Sequence, residues 1–503
     1  MLDFDMLEAH QIARDIASGK ASARETVQAC INRIQDTHAP INAVIVPRFE
    51  EALKEADLAD AARTRGDARG LLHGVPITIK ESFDVTGTPT TAGLTNRTNH
   101  RAATDAAIVS RLRNAGAIVV GKTNVSQLLL HDSCSNPLYG CTKNPWHSER
   151  SPGASSGGEA AILALGGSAL GFGSDIGGSV RLPAHACGLN AFKPTSGKVS
   201  LDGHISFFPR QEALMCQPGP ITRSMADLKP AMHVLTGEAF PPEEPLNLRV
   251  GFYIDNGVVR PSPSIRRAVS SAAHALEDHG IAVEEWKPPN VNLMWSVYMA
   301  FFLADGLASA RESCRGSRLS PNLRQTLQFA RLPKNAFPIV SGLLRLAGLS
   351  AWAEKLKYCA EDYDRLAGRR LSLCKEFMRA MDQAQINAIL CPVFHVPALR
   401  HHVSPFIDEG LSYTSIYNFL GMPAGVVAAT RVTQGDESDR SRGFDLVERA
   451  ARQVEQASAS LPVGVQVVAR PWREDIAIHV MSVLEGHFRT QSGYPDLPPT
   501  VYR

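Results

Sequence analysis

The 503-residue chain is 44% apolar and 20% charged, with 52 Lys plus Arg against 50 Asp plus Glu and a formal charge of +2. Such a composition buries a substantial core and excludes both a disordered chain and a disulfide-stapled miniature fold. Balanced charge without a long basic run excludes nucleic acid as the main partner, and nine scattered cysteines with no CxxC pair read as buried reduced thiols.

Length alone suggests roughly two to four domains, although a large α/β enzyme holds as many residues around one sheet. The opening MLDFDMLEAHQIARDIASGK has acids where a signal peptide needs a basic patch, and it has no apolar core, so a cytoplasmic location is expected. Residues 1–65 form a helical lead-in. From residue 5 they read as two or three amphipathic helices, with apolar positions at Ile12, Ile16, Val27, Ile31 and Ile34 and then the Ala-rich, charged run Glu50–Arg63. At Gly74 the pattern changes to VPITIK, a β-branched run that predicts a buried strand ending at Lys80. Residues 104–120 predict a helix and then a strand, AIVVGK, with Gly116 at the turn. Residues 261–379 are mostly helical by period, and Phe337–Trp352 is apolar but broken by Pro338 and Arg345, short of the roughly 20 residues a spanning helix needs. Ile386–Cys391 and Val463–Ala469 predict further strands, and 434–460 predicts a charged, exposed helical segment. This alternation predicts an α/β fold, a sheet covered by helices on both faces.

Composition shifts sharply to Gly, Ser and Ala between Ser148 and Pro194. Gly153-Ala154-Ser155-Ser156-Gly157 satisfies the GxSxG pattern of a nucleophile elbow, but Pro145 and Pro152 sit where the elbow needs a strand. Gly171-Phe172-Gly173 could open a dinucleotide loop, yet the third glycine is out of step. In Asp175-Ile176-Gly177-Gly178-Ser179 a hydroxyl follows two residues without side chains, so consecutive N–H groups can converge on one oxygen; an ordinary tight turn would read the same. A serine that attacks an amide needs a base, and none of the sixteen histidines sits in a recognisable triad setting. Lys80 ends an apolar strand, where burial would lower its pKa and free a lone pair; a strand-end lysine in solvent is the plainer alternative.

Taken together, GVPITIKES at 74–82, GASSGGEAA at 153–161 and SDIGGSVRLPA at 174–184 resemble the amidase-signature family. CSNPLYGCTKNPW, LRVGFYIDNG, SYTSIYNFLGMPAGVV and LPVGVQVVARPW resemble its fatty acid amide hydrolase subgroup, and the likeness runs from about Leu71 to the C-terminus. The resemblance implies one amidase domain over 1–503, with a signature core at 71–235 around a large, twisted, mixed central sheet. It implies Ser179 as nucleophile, Ser155 as a bridging serine on a cis peptide, Lys80 as terminal base, and Ile176, Gly177, Gly178 and Ser179 as an oxyanion hole. Asp175 and Arg181 match a supporting ion pair, and Ser156 supports beside Ser155. No metal or organic cofactor is implied.

Leu128, Leu129 and Leu130 stand where relatives line the acyl pocket, so Leu129 and Leu130 join Ser155 as expected substrate contacts; a plain core helix would give the same letters. At 331–352 relatives have an apolar cap at the membrane, which gives three alternatives here: peripheral membrane contact, a lid on the same chain, or a homodimer contact. Relatives often have glycine where Ala154 stands, and the membrane-bound animal enzymes carry an N-terminal spanning helix that no segment here matches. The implied activity is hydrolysis of hydrophobic fatty-acyl or aryl amides, the partner being a small-molecule amide. The alternatives are a glutamine-hydrolysing amidotransferase subunit and a binding protein that retains the fold without turnover.

Overall fold

The computed structural model describes residues 8–499 apart from 69, 241–246, 334, 347–349, 402 and 404. Its strands are β1 (Val44–Pro47), β2 (Pro76–Lys80), β3 (Ile118–Thr123), β4 (Ser135–Asn136), β5 (Gly140–Cys141), β6 (Leu170–Asp175), β7 (Asn190–Lys193), β8 (Gln217–Thr222), β9 (Arg249–Phe252), β10 (Ala282–Glu285), β11 (Ala388–Pro392), β12 (Ala424–Arg431) and β13 (Pro462–Ala469). Eleven of them form one mixed sheet in the order β1-β3-β2-β6-β8-β7-β12-β13-β11-β9-β10, and β4 and β5 pair separately. The strands β3, β2 and β6 run parallel, and every residue in them is buried. That is why VPITIK and AIVVGK read as near-continuous apolar runs rather than alternating ones.

The lead-in resolves into three helices, Ala9–Ser18, Ala23–Ile41 and Phe49–Thr64. The second starts at a reciprocal cap, in which Ser22 Oγ accepts the Glu25 N–H and Glu25 Oε2 accepts the Ser22 N–H at 2.9 Å. Ile12, Ile16, Val27, Ile31 and Ile34 are all buried in one cluster with Ile77, Ile79 and Phe172 of the sheet. Two elements differ from expectation. β1 is a four-residue edge strand, antiparallel to β3 and too short to show a period. The segment 434–460 is helical only over Leu446–Glu455, and that helix buries Ala450, Ala451 and Val454, so it is an amphipathic cover rather than an exposed helix.

Glycines 171 and 173 have a packing role. A Cβ on Gly171 would lie 2.5 Å from Glu159 Oε2, and one on Gly173 would lie 2.4 Å from Ser156 Oγ. The pair lets the helix Gly157–Ala164 settle directly on β6, which places its start beside the end of β2. The GxG here serves helix–strand contact, and the carboxyl ends of adjacent parallel strands supply the site, as in other open α/β sheets.

Candidate active site

Lys80 ends β2 with its side chain fully buried. Its Nζ lies 2.7 Å from Ser155 Oγ, 2.9 Å from Ser174 Oγ and 3.2 Å from the Ser174 carbonyl oxygen. Burial lowers its pKa to about 8, against the weaker opposing pull of Asp175 and Glu159. Glu159, on the helix after Ser155, accepts from Thr78 Oγ1 of β2 and Thr123 Oγ1 of β3, both at 2.7 Å. It thereby ties that helix to both strands, and burial pushes its carboxyl up to about 8.

Ser155 follows a cis Ala154–Ser155 peptide and is buried. The next residue, Ser156, precedes the helix Gly157–Ala164, and its N–H donates to the Ser179 carbonyl at 3.1 Å, which brings the two serine-bearing loops together. Ser155 and Ser179 line the same narrow cavity with Leu128, Leu129, Leu130, Ser174, Ile176, His204, Phe208, Glu212 and Cys216; no hydrogen bond joins their side chains. Leu128 is fully buried in a cluster with Ala92, Leu94 and Phe207, and Leu129 and Leu130 pack against it. The three leucines form a tight turn in which Leu128 and Leu129 have φ of 57° and 59°, so that their side chains wall the cavity.

The loop from Ile176 to Ser179 is held from behind. Asp175 accepts the Gly178 N–H at 2.7 Å and forms a two-pronged pair with Arg181, at 2.9 and 3.0 Å. Burial alone would raise the Asp175 pKa, but the Arg181 charge and its hydrogen bonds outweigh that and hold the carboxyl well below the usual range. On the carbonyl side, Tyr298 Oη donates to Ile176 O at 3.0 Å, while Thr414 Oγ1 and Ser415 Oγ donate to Gly177 O at 2.7 and 3.0 Å. Fixing a peptide's carbonyl fixes the direction of the N–H that follows it. A Cβ on Gly177 would lie 2.5 Å from Tyr298 Oη, and Gly178, at φ +126°, would place one 2.6 Å from Thr414 Oγ1. Both glycines are required by this close approach.

A family model described as Amidase matches residues 25–477. The chain belongs to the amidase family. It is similar to fatty-acid amide hydrolase 1 of Sus scrofa, at 31% identity over 96% of this chain and 86% of that protein. It is also similar to indoleacetamide hydrolase of Bradyrhizobium diazoefficiens, at 28% identity over 94% and 85% of the two chains. A solved fatty acid amide hydrolase superposes with a TM-score of 0.81 at 26% identity, covering 96% of this chain and 85% of that one. The protein is therefore a hydrolase acting on amide carbon–nitrogen bonds, built on the amidase-signature fold.

Every residue singled out in the sequence, Lys80, Ser155, Ser156, Asp175, Ile176, Gly177, Gly178, Ser179, Arg181, Leu129 and Leu130, belongs to this one neighbourhood. Sequence reasoning passed over Ser174, His204, Phe208, Glu212, Tyr298, Thr414 and Ser415. Ser174 sits inside the SDIGGS motif, and Thr414 and Ser415 sit inside SYTSIYNFLG; no local pattern marks His204 or Tyr298. Of the apolar segment 331–352, residues 334 and 347–349 lie outside the described residues, and the described part includes the helix Ala336–Leu346. No helix among the described residues is long and apolar enough to cross a membrane.

Proposed function

We propose that the protein hydrolyses amides of apolar acyl or aryl groups through an acyl-enzyme on Ser179, with Lys80 as base and Ser155 as relay. The observation that carries this reading is the 2.7 Å approach of a buried lysine amine to Ser155 Oγ from behind a cavity that Ser155 and Ser179 both line. A neutral Lys80 takes the Ser155 proton while Ser155 takes the Ser179 proton, and Ser179 Oγ adds to the amide carbonyl. The N–H groups of Ile176, Gly177 and Ser179 receive the resulting oxyanion; the Gly178 N–H, expected from the sequence to join them, is committed to Asp175 instead. Protons then return along the same path to the leaving nitrogen, the C–N bond breaks, and water repeats the cycle on the ester. The relay requires Ser155 Oγ and Ser179 Oγ to be within hydrogen-bond reach of each other when the amide is bound.

Leu128, Leu129, Leu130, Ile176 and Phe208 supply the apolar wall, and no Arg or Lys lines the cavity to receive an amino-acid carboxylate. That absence among the described lining residues favours an acyl or aryl amide over glutamine. On the surface, Ile339, Leu343 and Leu346 of the helix Ala336–Leu346 are 67%, 61% and 88% exposed, with Arg331 and Arg345 beside them also exposed. An apolar stripe flanked by basic groups suits peripheral contact with a lipid surface, from which an apolar amide would be drawn. A homologous series of primary amides tests the substrate class. kcat/KM should rise about fourfold per added methylene until the pocket is filled, and a flat series with turnover of free glutamine would overturn the reading.

A further inference from the structure

The base assigned above has three polar neighbours, and their donor and acceptor capacities differ. A neutral lysine amine carries two N–H donors and one lone pair, and catalysis requires that the lone pair face Ser155. The Ser174 carbonyl, at 3.2 Å, can only accept, so it takes one N–H. Ser174 Oγ, at 2.9 Å, is ambiguous: as an acceptor it takes the second N–H and leaves the lone pair to Ser155, but as a donor it occupies that lone pair itself. One further group touches this hydroxyl. His204 Nε2 lies 2.9 Å from Ser174 Oγ, and among the described residues Lys80 and His204 are its only side-chain partners.

The geometry points to His204 as a positioning residue that sets the direction of the lysine's lone pair by accepting the Ser174 hydroxyl proton. With Nε2 as acceptor, the order runs Lys80 N–H to Ser174 Oγ and Ser174 O–H to His204 Nε2, and the ring proton resides on Nδ1. The opposite tautomer would donate to Ser174 Oγ and turn the Ser174 proton toward Lys80, in competition with Ser155. A protonated ring would do the same; burial, and next to it the Lys80 charge, hold the His204 pKa down to about 3, so the ring stays neutral wherever the enzyme works.

Its placement is built into the fold. The Ile205 N–H donates to the Ser82 carbonyl at 2.9 Å and the Asp84 N–H to the Gly203 carbonyl at 2.8 Å, so the segment carrying His204 pairs with the chain just beyond Lys80. The ring meets the edge of Phe83, with centroids 4.7 Å apart. His204 Nδ1 is buried without a hydrogen-bond partner, a cost that is understandable if the ring is kept for what Nε2 does.

Because this inference rests on Lys80 as base, it is tested with four variants beside wild type: His204→Leu, His204→Gln, Ser174→Ala and the double His204→Leu/Ser174→Ala. Lys80→Met is measured in parallel on the same amide substrate. His204→Leu should lower kcat by about tenfold or more at unchanged KM, within the range for a group acting one bond behind the proton-transfer partner. His204→Gln, whose side-chain oxygen accepts the same proton, should recover most of the rate. In the Ser174→Ala background, where no hydroxyl is left to misdirect, His204→Leu should cost nothing further. An equal loss in both backgrounds, a loss confined to KM, or no loss in a folded His204→Leu protein would overturn the role of His204. If Lys80→Met were as active as wild type, the base assignment would fall and this inference with it, whereas an inactive Lys80→Met beside a fully active His204→Leu would remove this inference alone.

Discussion

Lys80 Nζ and Ser155 Oγ lie 2.7 Å apart, and both side chains are buried, the lysine completely. A charged amine in that place would give up most of its hydration, and this is why its pKa falls to about 8.

The first expected consequence is a pH profile. Only the neutral amine accepts a proton, so kcat/KM should rise with pH and level off above about 8, falling about tenfold for each unit below it. A profile flat from pH 6 to 9 would exclude Lys80 as the group whose protonation state limits the rate.

Lys80→Met keeps the volume of the side chain and removes the amine. The rate should fall by about 10²–10⁴-fold, while circular dichroism and the thermal midpoint show an intact fold, because no buried charge is left unpaired.

Asp175 and Arg181 form a fully buried ion pair, and breaking it leaves an uncompensated charge. Asp175→Asn should cost about 3–5 kcal/mol in urea denaturation at pH 7. The sign with pH follows from the depressed carboxyl: its contribution is complete above the ordinary aspartate value near 3.9 and fades as pH falls through the lower folded value. The wild-type advantage over Asp175→Asn should therefore shrink as the solution is acidified below about 4.

Thr414 and Ser415 grip the Gly177 carbonyl while Asp175 takes the Gly178 N–H, so the peptide at the centre of the 176–179 loop is held from both ends. Thr414→Val with Ser415→Ala should lower kcat about tenfold or more without moving KM, less than the roughly 10²–10³-fold that follows loss of an oxyanion donor itself. A change in KM alone would mean that the hydroxyls serve substrate binding instead.

Replacing Ile339, Leu343 and Leu346 together by serine should abolish sedimentation with phosphatidylcholine–phosphatidylglycerol vesicles and leave turnover of a short, water-soluble amide unchanged. Vesicle binding that survives the triple change would place membrane contact elsewhere.

How far the sequence reached is set by how local each signal is. VPITIK, GASSGG and SDIGGS each leave a plainer alternative open when taken singly, and it is their combination, which resembles the amidase-signature family, that makes Lys80, Ser155 and the 176–179 loop legible. Period-3.6 burial likewise marked Ile12, Ile16, Val27, Ile31 and Ile34, all of which are in the core. His204 and Tyr298 were not legible, because they reach Ser174 and Ile176 across 30 and 122 residues and no spacing rule connects them. β1 carries no sequence signal because four residues show no period, and the charges of 434–460 outnumber the small apolar face formed by Ala450, Ala451 and Val454, which hides its burial from a reading of composition.

The central claim is that Ser179 forms the covalent intermediate, and intact-mass spectrometry with peptide mapping after treatment with a fluorophosphonate probe tests it most directly. One adduct on the peptide containing Ser179, absent in Ser179→Ala and much slower to form in Lys80→Met, is the result predicted. An adduct on any other residue of the folded wild-type protein, or labelling that persists in Ser179→Ala, would contradict it.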